Sequence, residues 1–181
     1  MFDSVVYVTG NVYKAKQTAA YSPIPLQHTN IDLPEIQSLD SKEIIEHKVK
    51  EAYQRIQSPV LVEDISLRFL ALGKLPGTLI RWFLEELGNE GMCQLLDGYK
   101  DRSAVAQVIY GLYDGTTLQT FDASTKGTIA AAPRGDSFGW NNIFIPDGYT
   151  KTWGEMSEEE QKKTSMRRIA LEKLEIYLKK K

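Results

Sequence analysis

Cysteine is almost missing from this sequence. Cys93 stands alone among 181 residues, so an intrachain disulfide is excluded and a reducing, intracellular setting is the expected one. Cys93 lies in the run Met92-Cys93-Gln94-Leu95-Leu96, which reads as a half-buried helix face where the thiol packs rather than reacts. Histidine is almost as scarce. His28 and His47 lie far apart, which leaves no Cys/His metal cluster and no Ser-His-Asp arrangement. No apolar run approaches the roughly 20 residues that span a bilayer, so no membrane partner is expected. The opening MFDSVVYVTGN has an early aspartate and no basic stretch before a long apolar one, which is not the pattern of a signal peptide. The expected location is the cytoplasm. Charge of one sign is also lacking. The formal net charge is -2, which argues against nucleic acid as the main partner. Repeats, low-complexity segments and linkers are absent, so residues 1–181 are expected to form a single domain.

What is present is an ordinary globular balance, with 42% apolar and 25% charged residues. SVVYV at 4–8 predicts a strand, broken at Thr9-Gly10-Asn11 and followed by a polar helix carrying Lys14 and Lys16. Residues 22–37 hold three prolines and read as extended chain and loop. Asp40 and Ser41 offer caps for SKEIIEHKVKEAYQRI, whose apolar residues form a helical stripe. Pro59-Val60-Leu61-Val62 reads as a buried strand ending at Glu63-Asp64. TLIRWFLEELG reads as a helix stopped by Gly88. Between 103 and 145 the pattern changes to antiparallel hairpins: SAVAQVIYGLY, a turn at Asp114-Gly115, then TLQTFDAS and GTIAAA. A last helix begins at Ser157, with Glu160 completing a capping box. The fold class is α/β with mixed α+β character, built around one twisted mixed sheet.

Four constellations bear on chemistry. A strand running through Gly10 into a helix can aim backbone N–H groups at an anion, with Lys14 placed to reach it. A glycine turn beside a solvated lysine has the same appearance. Glu63 and Asp64 at the end of an apolar strand, with Glu35 in DLPE, are oxygen ligands of the kind Mg²⁺ takes; surface carboxylates are the alternative. Phe138 and Trp140 around Gly139 can stack a planar ligand, or can both be core. Lys162, Lys163, Arg167 and Arg168 bring four bases into one helix, where they either bind an anion or form a solvated face. Together these are the parts of a magnesium-dependent nucleotide enzyme.

Their order and spacing resemble a known family. TGNxxK, IDLPEIQ, PVLVEDISLRFLALGKLPG with IRWFLEELG, APRG, SFGW, PDGYTKTWGEM and a C-terminal S-x-R are similar to the motifs of the inosine triphosphate pyrophosphatase family, also called Ham1-like, over about residues 5 to 175. The resemblance implies a long twisted mixed sheet with flanking helices and two lobes around a nucleotide-binding cleft. It implies hydrolysis of a nucleoside triphosphate to monophosphate and pyrophosphate, dependence on Mg²⁺ (Mn²⁺ as a substitute), and a homodimer. The substrates implied are deaminated purine nucleotides such as ITP, dITP and XTP, removed from the precursor pool. By position, Thr9, Asn11, Lys14 and Lys48 would bind the triphosphate. Glu35 and Asp64 would hold the metal and orient the attacking water, with Glu63 beside them and Lys14 assisting. Phe138 and Trp140 would sandwich the base, and Ser165 and Arg167 would read its edge.

The sequence departs from that pattern where the base is read. Asn141 stands where the family has aspartate, Met166 where it has histidine, and Gln161 where it has lysine. Lys162 sits one place along, about 100° round the helix. Ala123 replaces a usual glycine. Amides both donate and accept, whereas carboxylates only accept and ammonium groups only donate. Asn141 and Gln161 in the base pocket would therefore alter or relax selectivity toward a 6-amino purine. Alternatively, backbone groups and Arg167 would preserve selectivity for a 6-oxo purine. A nucleotide-binding dimeric module with little turnover is a third reading, which the retained Glu35, Asp64, Lys14 and Lys48 oppose.

Overall fold

The computed structural model describes residues 5–22 and 24–180. Among the described residues, seven strands and five α-helices follow in the order β1 (Val5–Val8), α1 (Val12–Tyr21), β2 (Leu26–Thr29), α2 (Ser41–Ile56), β3 (Val60–Phe69), β4 (Pro76–Gly77), α3 (Ile80–Gln94), β5 (Ser103–Tyr113), β6 (Leu118–Ile129), β7 (Phe144–Pro146), α4 (Glu158–Thr164) and α5 (Met166–Leu178). The sheet runs β2-β1-β3-β5-β6-β7, with β4 paired to β3. β1 pairs in parallel with β2 and β3, whereas β3–β4 and β6–β7 are antiparallel. This is the mixed α/β sheet that the alternation of patterns predicts.

The chain forms two compact units. One is drawn from Met1–Ile65, Val108–Ala123 and Met166–Lys181, the other from Ser66–Gln107 and Ser124–Ser165. The changes of unit at 65/66, 107/108 and 123/124 fall inside β3, β5 and β6.

The core of the first unit lies between α2 and the sheet. Val6, Val8, Val60, Val62 and Ile109 face Ile45, Val49 and Ala52. The buried positions of α2 are Ile44, Ile45, Lys48, Val49 and Ala52, so Lys48 lies within the apolar stripe itself. Asp40 caps this helix by accepting from the Lys42 N–H at 2.8 Å. In the second unit, the Arg102 guanidinium binds the carbonyls of Cys93, Ile129 and Ala130 at 2.7–2.9 Å. Cys93 is fully buried there rather than half-buried, and burial pushes its thiol up to about 11.

Several expected boundaries move. β3 does not end at Glu63-Asp64 but runs through both to Phe69, because partners distant in sequence reach both carboxylates, Arg167 at Glu63 and Lys48 at Asp64 Oδ1. The two expected strands TLQTFDAS and GTIAAA are one continuous β6, which ends at Ile129. Gly88, at φ 62° and ψ -178°, ends the first helical segment of α3 as expected, and a second helical segment follows this kink and runs to Gln94. The last helix breaks at Ser165, whose extended backbone (φ -70°, ψ 114°) separates α4 from α5. Leu26–Thr29, expected within a stretch of extended chain and loop, pairs with β1 as the strand at the end of the sheet. The Ser157–Glu160 capping box forms as the spacing predicts.

β6 and β7 approach closely at Gly127. A Cβ there would lie 2.2 Å from the Ile145 carbonyl oxygen and 2.8 Å from Phe144 Cζ. Gly127→Ala is expected to destabilise the protein by about 1–3 kcal/mol through overpacking, read as a lowered urea midpoint with an unchanged m-value.

Candidate active site

The site is built on the N-terminus of α1 and on β3. After β1, Thr9 and Asn11 fold the chain into α1. Thr9 Oγ1 accepts from the Asn11 N–H at 3.2 Å, and Asn11 Oδ1 accepts from the Lys14 N–H at 3.1 Å. Asn11 is therefore the N-cap of α1. The Thr9 carbonyl lies 3.0 Å from His28 Nε2 on the neighbouring strand. This short ladder fixes where the side chain of Lys14 starts.

Glu63, in the middle of β3, is 3% exposed. Its Oε1 accepts from Arg167 Nη2 at 3.1 Å, and its Oε2 accepts from Arg167 Nε at 3.3 Å. This two-point pair joins β3 to the first turn of α5. Thr18, fully buried on α1, donates its hydroxyl to Glu63 Oε2 at 3.1 Å. The hydroxyls of Tyr7 and Tyr110 lie 3.3 and 2.9 Å from the same Thr18 oxygen. Lys14 Nζ is 3.9 Å from Glu63 Oε1. Burial alone would raise the Glu63 carboxyl, but Arg167 and Lys14 outweigh it and hold the group at about 2. Glu63 is thus a fixed negative charge. Burial works against the Arg167 charge too, and Glu63 reverses that and raises its pKa.

Asp64 points into a second cluster. Lys48 Nζ lies 3.4 Å from Asp64 Oδ1, donates to the Glu63 carbonyl at 3.3 Å and pairs with Glu35 Oε1. Desolvation opposes the Lys48 charge, yet Asp64 and Glu35 raise its pKa overall. Burial raises Asp64, more than Lys48 and Lys14 lower it. Asp64 Oδ2 is buried and has no hydrogen-bond partner, a cost of about 1–3 kcal/mol unless a ligand meets it. Burial lowers Lys14, and nearby Lys48 and Arg167 add to that, against the opposing pull of Glu63 and Asp64.

The structure therefore brings Lys14, Glu35, Lys48, Asp64 and Arg167 together with Glu63 in the first unit, next to the Thr9–Asn11 cap. Arg167, which the resemblance assigns to the edge of the base, is anchored on Glu63. Thr18, Tyr7 and Tyr110 were not expected from the sequence. Tyr7 reads there as a strand residue, and a threonine in a polar helix carries no signal of its burial.

Phe138, Trp140, Asn141, Gln161 and Ser165 belong to the second unit. Phe138 is 53% exposed. Trp140 is half-buried in an aromatic cluster, 5.5 Å from Trp153 and 5.9 Å from Phe144 between ring centroids. The adjacent asparagines bind the turn. Asn142 Oδ1 accepts from the Ser137 N–H at 2.9 Å, and its Nδ2 donates to the Ser137 carbonyl at 3.0 Å. Asn141 Nδ2 donates to Ser137 Oγ at 3.2 Å. Gln161 Nε2 donates to the carbonyls of Trp153 and Met156 at 2.7 and 3.3 Å. Its donor amide thus holds the start of α4 against the preceding loop. Met166 is buried at the start of α5.

Removing one partner of the buried pair leaves the other charge unpaired. Glu63→Gln and Arg167→Met are each expected to cost about 3–5 kcal/mol, and the double variant less than their sum. A double-mutant cycle in urea measures the coupling, and strict additivity would contradict the pairing.

The model of the Ham1 family matches residues 5–177. The chain is 43% identical to the inosine triphosphate pyrophosphatase of Yarrowia lipolytica over 97% of its own length and 95% of that protein. Among solved structures, a HAM1 protein from Coxiella burnetii superposes with a TM-score of 0.83 at 23% identity, covering 100% of both chains. The Ham1 protein of Staphylococcus aureus gives 0.81 at 22% identity, covering 96% of this chain and 98% of that one. At those identities the two structures speak to the fold alone. The family-model match along nearly the whole chain, with 43% identity to a relative over almost its full length, shows that this protein belongs to the Ham1 family.

Proposed function

We propose that this protein is a nucleoside triphosphate pyrophosphohydrolase, converting an NTP and water to the monophosphate and pyrophosphate, with deaminated purine nucleotides as substrates. The observation that carries the reading is the cluster on β3, in which Lys14, Lys48 and Arg167 surround Glu35, Glu63 and Asp64. The similarity to an inosine triphosphate pyrophosphatase supports the choice of base.

The donor set fits a divalent metal. Among the described residues no three His, Cys, Asp or Glu side chains could hold one by themselves. Mg²⁺ needs only one or two carboxylates when phosphates and waters complete its shell. Glu35 and Asp64 share the Lys48 ammonium, and Asp64 Oδ2 is an unpartnered buried acceptor. The three cations and three carboxylates of the cluster cancel formally, so they cannot by themselves neutralise a triphosphate. Glu35 and Asp64 would hold Mg²⁺, or Mn²⁺ in its place, which would supply the missing positive charge and polarise the phosphate oxygens.

The chain's own groups account for the remaining work. The capped N-terminus of α1 and Lys14 bind phosphate oxygens, with Thr9 and Asn11 fixing that turn. Lys48 and Arg167 add charge stabilisation as the pyrophosphate leaves. Water attacks the α-phosphorus, the bond to the α–β bridging oxygen breaks, and a carboxylate of Glu35 or Asp64 takes the water proton. Phe138 and Trp140 stack the base, and Ser165 contributes to its edge. Gln161 and Asn141 bind the turn and loop that carry this segment, which favours retained 6-oxo selectivity over a rewritten pocket.

The chain is also proposed to fold as one domain, since the changes of unit inside strands leave no linker. No helix of the described residues is long and apolar enough to cross a membrane. The lone cysteine supports a cytoplasmic location. Exposed Leu70, Leu75 and Trp82 support a homodimer, and light scattering should give twice the 20.5 kDa chain mass; a monomer mass at micromolar concentration would overturn the dimer.

Pyrophosphate release with Mg²⁺ over ITP, XTP, dITP, ATP, GTP, CTP and UTP tests the activity. ITP and XTP should lead by about a hundredfold, and EDTA should abolish turnover. Asp64→Asn and Lys14→Ala should each lower kcat by about 10²–10³. Equal rates for ATP and ITP would sink the base assignment.

A further inference from the structure

We infer that Asn89 is a positioning residue for base recognition, acting through the Gly139 peptide that joins Phe138 to Trp140. The inference rests on the proposed stacking of the base by those two rings.

Trp140 is held by its packing on Trp153 and Phe144. Phe138 lies on the other side of Gly139 and is half-exposed. The disposition of the two rings therefore depends on the backbone at Gly139, which sits at φ 66°. Glycine is the softest residue in this region, so the peptide needs an external hold to keep one orientation. α3 supplies it. Asn89 Nδ2 donates to the Gly139 carbonyl at 3.0 Å, and Leu84 Cδ2 lies 3.9 Å from where a Gly139 Cβ would be. Asn89 follows directly on Gly88, where α3 departs from helical geometry at φ 62°, ψ -178°. The kink thus comes at the residue before the contact. Asn89 Oδ1 is buried without a partner. Burying an unpaired acceptor works against stability, so the amide is poorly explained as packing alone and well explained as a donor aimed at one carbonyl.

The consequence is specific. Losing the donor frees the Gly139 peptide and the relative placement of the rings, which affects binding of the base and leaves the triphosphate residues of the first unit untouched. Asn89→Asp keeps the shape but only accepts, and Asn89→Leu removes both donor and orphan acceptor. Each is assayed for ITP turnover and for competitive inhibition by inorganic tripolyphosphate, which has no base, with Phe138→Ala measured alongside. KM for ITP should rise about tenfold in both Asn89 variants, with kcat nearly unchanged and the tripolyphosphate Ki unchanged. Asn89→Leu should be at least as heat-stable as the parent, and Asn89→Asp carries the test if the leucine variant folds poorly. If Phe138→Ala raises KM and neither Asn89 variant does, this inference is overturned and the stacking stands. If the Asn89 variants shift KM and the tripolyphosphate Ki equally, the residue is only structural. If Phe138→Ala leaves KM unchanged, the stacking and this inference fall together.

Discussion

The site depends on one buried ion pair, Glu63 with Arg167. A carboxylate in mid-strand, 3% exposed, would cost several kcal/mol without compensation. The two-point guanidinium contact, the Thr18 hydroxyl and the approach of Lys14 supply it. The same pair fixes a strand to a helix 104 residues away in sequence. It also leaves Asp64, the next residue along β3, beside Lys48. Alternation along the strand sends successive side chains to opposite faces. One carboxylate thus organises the Arg167–Lys14 side, and the next shares Lys48 with Glu35.

That arrangement separates two tasks. Glu63 is held fully ionised and serves as scaffold, whereas Asp64 keeps an oxygen without a partner and is the group available to a ligand. Lys48 is buried within the apolar stripe of α2, so its ammonium has little freedom and is aimed rather than mobile. Rigid placement of charges in a partly dry site is what phosphoryl chemistry asks of a protein, since positioning and electrostatics supply most of the rate. The second unit carries a different kind of order, with Asn142, Asn141 and Asn89 gripping one short aromatic turn.

Much of this was legible in the sequence where local signals suffice. The Asp40 cap and apolar stripe give α2, Ser157 and Glu160 give the start of α4, and Asn11 before Lys14 marks the turn into α1. The family resemblance supplied the grouping of Thr9, Lys14, Glu35, Lys48 and Asp64, which no spacing could have shown. What stayed hidden depends on distant partners. Glu63-Asp64 reads as a strand end because two acids look exposed until Arg167 and Lys48 are beside them. Gly88 reads as a stop and is one, but nothing local shows that a second helical segment follows it to Gln94. Gln161 gives no local sign that its amide reaches the Trp153 and Met156 carbonyls. The Thr18 hub gives no local sign at all.

The central claim is that the charged cluster on β3 directs water to the α-phosphorus. Turning over ITP in H₂¹⁸O and weighing both products by mass spectrometry tests it directly. The account predicts one ¹⁸O in the nucleoside monophosphate and none in pyrophosphate. Label in pyrophosphate, or release of inorganic phosphate with nucleoside diphosphate, would place the attack at another phosphorus and contradict it.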